Sequence, residues 1–105
     1  MPLDHIGINI PDVAPARDYF DALMPLVGFK PFYSGEDWFS YAPVSGHGTQ
    51  LFFYTAKDQG SYSRHQPGLQ HLCFVVDSRR EVEAAHAWAR ARGDEVLHVP
   101  RTFPE

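Results

Sequence analysis

The amino-acid sequence predicts an α+β fold in which two similar strand–helix modules follow one another and the second is cut short. Leu3–Ile10 reads Leu-Asp-His followed by mostly apolar residues, and Leu69–Val76 reads Leu-Gln-His followed by apolar residues, at a constant offset of 66. The first stretch alternates apolar and polar residues like a half-buried strand. Each stretch is followed by an acidic residue and a helical pattern, and internal repetition of this kind defines an architecture.

The first module is predicted to contain four strands and one helix, in the order β-α-β-β-β. Alternating or β-prone residues mark the strands, apolar residues at helical spacing mark the helix, and Gly and Pro close the segments. The strands are predicted at residues 3–10, 29–34, 38–42 and 49–55, and the helix from Asp12, a possible cap, through Met24.

The second module is predicted to contain a strand, a helix and one further strand. The strand Leu69–Asp77 precedes the helix Arg79–Arg92, which Gly93 ends, and Glu95–Val99 forms the last strand. The polar residues 56–68 form the predicted linker. We expect a single domain over residues 1–105, with the first module at 1–55 and an incomplete second module at 69–105. A truncated protein and a natural short form are both compatible with this pattern.

Composition limits the function classes. At 105 residues with 44% hydrophobic content the chain can form one core, and it contains no apolar run long enough for a membrane span. No secretory signal is visible, and a single cysteine, Cys73, fits a reducing compartment, so a cytoplasmic location is expected. The net charge of −4 with scattered basic residues argues against nucleic acid or an anionic membrane as partner.

Two histidines occupy equivalent positions in the repeated strands. His5 lies on the strand face opposite Ile6, Ile8 and Ile10, and His71 holds the matching place in the second module. If the apolar faces pack on helices, both imidazoles face the other way, toward the concave side of a curved sheet. Imidazole is a common ligand of divalent metals, so this pattern predicts a metal site, although a hydrogen-bonded structural role for each histidine remains open.

Gln50 is the third candidate ligand, since it shares a strand face with Phe52 and Tyr54. A merely solvated side chain is the alternative for this residue. The position 66 residues after Gln50 lies beyond Glu105, so no fourth ligand is expected in this chain. The predicted substrate pocket, whose members could equally be core residues, consists of Trp38, Phe52, Tyr54 and Cys73.

Three segments together resemble the vicinal oxygen chelate superfamily, the group of glyoxalases, bleomycin resistance proteins and extradiol dioxygenases. The segments are Leu3–Ile8, Gln50–Tyr54 and Leu69–Phe74. Their order, spacing and repetition carry the resemblance, which covers essentially the whole chain. It implies paired βαβββ modules that form a U-shaped mixed sheet around a divalent metal, with His5, Gln50 and His71 at three of the four ligand positions.

The resemblance implies a metal-dependent lyase, epimerase or dioxygenase that binds a small oxygen-chelating substrate. The metal would be Zn, Ni, Co, Mn or Fe, and a homodimer is expected. A non-catalytic protein that binds a small molecule or antibiotic, as bleomycin resistance proteins do, is the alternative, and an inactive fragment is a third possibility. The matched histidines favour the enzyme.

Overall fold

The computed structural model describes residues 3–102, which form a curved, unclosed mixed sheet with two helices packed on one face. The α+β class predicted from the sequence is confirmed. The elements are β1 (His5–Ile10), α1 (Val13–Leu23), a 3₁₀ turn (Met24–Val27), β2 (Phe29–Ser34), β3 (Trp38–Pro43), β4 (Gln50–Thr55) and α2 (Arg79–Arg92).

The strands lie in the order β1-β4-β3-β2 across the sheet. β1 pairs with β4 in parallel, whereas β4–β3 and β3–β2 are antiparallel. β2 lies at an edge and is irregular between Pro31 and Ser34, as expected because proline cannot donate to a ladder. β1 forms the other edge, and His5 is the Cα partner of Gln50. The topology thus places two predicted ligands side by side.

The core lies between the sheet and α1. Alternate side chains along the strands point into it. Phe53 is 2% exposed and stacks on Phe20 of α1 at 4.2 Å and on Phe39 of β3 at 5.1 Å. The isoleucines of β1 point to this side, as predicted from the sequence. The buried hydrophobic cluster consists of Ile10, Met24, Val27, Phe39, Tyr41, Leu51 and Phe53.

α1 begins after Asp12, whose extended backbone makes it the N-cap residue, but the carboxylate forms no cap hydrogen bond. Met24, which the periodicity placed in the helix, starts the 3₁₀ turn instead. Pro25 follows at once and has no N–H to continue the α-helical ladder. Gly28 ends the turn with φ 88°, a left-handed conformation that favours glycine.

The two strands predicted for the second module are wrong, since neither 69–77 nor 95–99 pairs with the sheet among residues 3–102. A strand needs a neighbour for its backbone hydrogen bonds, and apolar patterning alone does not supply one. Residues 69–76 instead run alongside the core, where Phe74 contacts Phe29 with ring centroids 5.6 Å apart.

α2 has the bounds predicted for it, and Gly93 ends it with φ 82°. Its Trp88 meets Tyr19 of α1 edge to face, with ring centroids 5.0 Å apart. The Arg92 guanidinium lies 4.7 Å from the Tyr19 ring and 5.1 Å from the Trp88 ring. This aromatic and cation–π contact joins α2 to α1.

Candidate functional site

The sheet face opposite the helices, here called the open face, carries five of the residues predicted from the sequence to form a site. Side chains alternate between the two faces along β1 and β4, and β4 pairs with β3. Polar side chains and aromatic rings from these strands therefore meet on this face. Its principal side chains come from four strands and are His5 and Asn9 of β1, Phe32 of β2, Trp38 of β3, and Gln50, Phe52 and Tyr54 of β4.

Two potential metal donors lie at one end of the open face. His5 and Gln50 are in register in the parallel β1–β4 pair, so their side chains leave the sheet next to each other. The Gln50 backbone N–H donates to the Asp4 backbone carbonyl at 2.9 Å, and the Thr49 hydroxyl donates to the Leu3 backbone carbonyl at 2.8 Å. These bonds fix the start of β4 to the start of β1 and thereby hold the two donors in register.

The imidazole of His5 is oriented by its neighbour in the chain. Its Nδ1 lies 2.7 Å from Asp4 Oδ2, and since a carboxylate only accepts, Nδ1 donates this hydrogen bond and Nε2 is the ring nitrogen outside this contact. His71 repeats the arrangement, with Nδ1 donating to Gln70 Oε1 at 2.8 Å. An oxygen acceptor on the second ring nitrogen is the usual partner of a metal-ligating histidine. The His5–Gln50 pair therefore has the chemistry of a partial metal site.

Three rings form an aromatic strip on the open face: Trp38, Phe52 and Tyr54. Trp38 lies 6.1 Å from Phe52 at an interplanar angle of 20° and 6.3 Å from Tyr54 at 28°. The Phe52 and Tyr54 rings are 6.3 Å apart at 14°. The strip reaches the donor end, because Phe52 meets the His5 ring at 5.4 Å. Tyr54 is 41% exposed, so part of this strip of nearly parallel rings is open to an aromatic ligand.

A polar cavity of about 480 Å³ lies at the other end of the strip. The Asp37 carbonyl, at its wall, accepts from the Thr55 hydroxyl at 3.0 Å and thus joins the β2–β3 turn to the end of β4. The open face therefore runs from a His/Gln end across aromatic rings to a polar end. The cavity is lined by Asn9, Asp37, Tyr54, Thr55, Lys57 and Asp58.

Cys73 does not join the aromatic strip. It is exposed and lines a groove of about 880 Å³ together with Ile6 and Leu51, which belong to the core face of the sheet. The prediction that Cys73 shares a pocket with Trp38 depended on a strand at 69–77, and that strand does not form. The groove is lined mainly by apolar residues.

His71 lies in the irregular segment and is exposed. In the described part of the chain, no three His, Cys, Asp or Glu side chains come close enough together to hold a metal ion. The structure thus brings His5 and Gln50 together without placing His71 in a ligand cluster. The ligand role of all three residues stays a prediction.

Sequence reasoning missed Asp4 and Phe32 as parts of this site. The repeat contained the signal for Asp4, because Asp4 and Gln70 precede the matched histidines. Phe32 contacts Phe52 at 6.4 Å across β3, a relation that no local pattern reveals.

Comparison with known proteins places this geometry in a family. The chain belongs to the glyoxalase/bleomycin resistance protein/dioxygenase superfamily, whose family model matches residues 4–103. It is similar to the crystal structure of a candidate glyoxalase from Bacillus halodurans, with 29% sequence identity and a TM-score of 0.80. That match covers 91% of this chain and 72% of the Bacillus chain. A search of curated proteins found no match. Neither helix within residues 3–102 has the length and hydropathy of a membrane span.

Proposed function

We propose that the protein is a metal-dependent enzyme of the glyoxalase and dioxygenase type that binds a small oxygen-chelating substrate on the open face. The observation that carries the proposal is the side-by-side placement of His5 and Gln50 at the end of the aromatic strip. The superfamily includes both glyoxalases and dioxygenases, so the choice among lyase, epimerase and dioxygenase follows from activity measurements.

The proposed metal ligands are His5, Gln50 and His71. The contact of Nδ1 with Asp4 leaves Nε2 of His5 as the ring nitrogen that would bind the metal. Gln70 makes the same kind of contact with Nδ1 of His71. When bound, the metal would act as a Lewis acid toward two neighbouring oxygens of the substrate. The aromatic strip would hold the rest of the substrate flat against the sheet and exclude water from one side.

A homodimer would supply the further donors that this site requires. Among residues 3–102, β1 has a strand neighbour only on its β4 side, and an unpaired edge readily recruits another chain. Because His5 lies on this edge strand, a partner bound there would bring its own donors close to the His5–Gln50 pair. We also propose a reducing compartment such as the cytoplasm, consistent with the single exposed cysteine.

Equilibrium dialysis with Zn²⁺ and Mn²⁺ tests the metal site, using the wild type and alanine variants of His5, Gln50 and His71. His65→Ala serves as the matched control, since this exposed histidine lies outside the open face. We expect one tight site in the wild type that His5→Ala abolishes and the control retains. Tight binding that survives His5→Ala contradicts the ligand assignment.

The reaction class is tested separately, by supplying a hemithioacetal and a catechol to the metal-loaded protein. Turnover of either compound that is lost in His5→Ala supports an enzyme. Tight metal binding without turnover of any oxygen-chelating compound contradicts the enzymatic proposal.

A second candidate function is a non-catalytic protein that binds an aromatic small molecule. The aromatic strip favours it, because the nearly parallel rings of Trp38, Phe52 and Tyr54 provide an aromatic contact surface without help from a metal. Thermal-shift assays with aromatic compounds, with and without EDTA, separate the two functions. Stabilisation unaffected by EDTA favours the binding protein, whereas stabilisation that requires metal favours the enzyme.

A further inference from the structure

The Trp38 indole packs directly against Gly35, a glycine three residues earlier in the chain. A Cβ atom built on Gly35 would lie 2.7 Å from Cδ1 and 2.9 Å from Cε2 of the Trp38 indole, and it would overlap Nε1 as well. Non-bonded carbon atoms at these distances repel each other strongly, since their optimal separation is about 3.5–4.0 Å. The Trp38 indole therefore occupies space that any residue other than glycine at position 35 would fill.

The requirement for glycine at this position arises from space and not from the backbone. Five glycines among residues 3–102 have a positive φ, and Gly35 is not one of them. Alanine at position 35 could thus adopt the same backbone, but only if the indole moved. The clashing atoms belong to a rigid bicyclic ring and not to the tip of a flexible chain, so the whole side chain would have to rotate. The five positive-φ glycines are Gly28, Gly46, Gly48, Gly68 and Gly93.

The turn that brings Gly35 beneath the indole is anchored at two points. The Gly35 amide donates to the Trp38 carbonyl at 3.0 Å, which closes the β2–β3 connection. The Asp37 carbonyl accepts from both the Thr55 amide, at 3.3 Å, and the Thr55 hydroxyl, at 3.0 Å. The turn is therefore attached to β4, the strand that carries the other two rings of the strip. Gly35 cannot easily shift away from Trp38 to relieve a clash.

We propose that Gly35 is a positioning residue of the binding site: the side chain that it lacks leaves the space in which the Trp38 indole lies nearly parallel to Phe52 and Tyr54. This inference rests on the proposed binding role of the open face. It adds a residue that touches no ligand yet determines the shape of the aromatic strip and hence the flat ligands that the strip accepts.

The test is Gly35→Ala in a Trp88→Phe background, where Trp38 is the sole tryptophan. Gly60→Ala in the same background is the matched control, because a Cβ at Gly60 meets no atom within 4 Å and its φ is not in the left-handed range. Near-UV circular dichroism and iodide quenching report the environment of the Trp38 indole without any ligand. We expect both signals to change in Gly35→Ala and to stay at the parent value in Gly60→Ala. Parent-like Trp38 signals in Gly35→Ala overturn the inference.

Equilibrium dialysis with 2-naphthol, a flat two-ring probe, then measures the strip itself. We expect Gly35→Ala to raise its Kd about two- to tenfold, the range that corresponds to one aromatic contact. An unchanged Kd despite a displaced indole contradicts the effect of Gly35 on the site. Failure of the parent protein to bind 2-naphthol contradicts the binding role of the open face. In that case near-UV circular dichroism and iodide quenching still decide whether Gly35 positions Trp38.

If Gly35→Ala does not fold, the double variant Gly35→Ala/Trp38→Ala decides the question. Removal of the indole removes the clash, so the double variant should fold as well as Trp38→Ala alone. A double variant that remains unfolded shows that alanine disturbs the turn for another reason and overturns the inference.

Discussion

Replacement of Tyr41 by phenylalanine tests how the sheet is fixed to the helical layer. Tyr41 is 1% exposed, and its hydroxyl donates to Asp21 Oδ1 of α1 at 2.8 Å. A hydrogen bond to a charged group contributes about 1.5–3 kcal/mol to the free energy of unfolding. The Asp21 side chain is 48% exposed and can regain water. We therefore expect Tyr41→Phe to cost about 1.5 kcal/mol at pH 7, the lower end of that range.

The same substitution has a pH signature. Burial, together with the hydrogen bond to Asp21 and its negative charge, raises the pKa of Tyr41 well above the ordinary value of 10.0. Above pH 10 the unfolded chain has lost this proton while the folded protein retains it, so the stabilisation is complete below pH 10 and declines as the pH rises. The free energy of unfolding should then fall by about 1.4 kcal/mol per pH unit, a contribution that Tyr41→Phe lacks.

Urea unfolding followed by far-UV circular dichroism at pH 7 and pH 11 measures both effects. The stability deficit of Tyr41→Phe relative to the wild type should be smaller at pH 11 than at pH 7 by about 1.4 kcal/mol. Tyr33→Phe is the control for removal of an exposed tyrosine hydroxyl, since Tyr33 is 65% exposed. A Tyr41→Phe deficit that is the same at both pH values refutes the reasoning.

Three further substitutions test the site and the fold. Asp4→Asn should weaken Zn²⁺ binding about 10- to 100-fold in equilibrium dialysis, because it alters the acceptor that orients His5, and unchanged affinity would exclude that role. Phe53→Ala should lower the free energy of unfolding by about 3–5 kcal/mol, since Phe53 stacks on two rings in the core; a loss under about 1 kcal/mol in urea unfolding would contradict the packing. Gly93→Ala should cost about 1–2 kcal/mol in thermal unfolding because φ at the α2 C-cap is 82°, whereas Gly60→Ala, where no positive φ is required, should cost less.

Local patterns predicted both helices and the four strands of the first module. The alternation of β1 assigned Ile6 and His5 to opposite faces, and the structure places them so. The glycine after α2 marked the end of that helix at the correct residue. These predictions succeeded because side-chain parity and capping depend on neighbouring residues.

Predictions that depended on distant pairing succeeded only in part. Residues 69–77 have the composition of a strand, yet a strand also requires a partner, which sequence patterning does not specify. The misplacement of Cys73 followed from that error, because its expected face was counted along a strand that does not form. The register between His5 and Gln50 and the contact of Gly35 with Trp38 are three-dimensional relations that no single-sequence pattern encodes.

The central claim is that the open face at the His5–Gln50 end binds a divalent metal. Titration of ¹⁵N-labelled protein with Mn²⁺ tests it directly, because the paramagnetic ion broadens the amide resonances nearest to it. We expect broadening to start at His5 and Gln50 and to reach Val27, which lines the groove on the other side of the sheet, only at higher Mn²⁺ concentrations. Broadening that starts at the groove residues, or uniform weak broadening at exposed carboxylates, would contradict metal binding at the His5–Gln50 end of the open face.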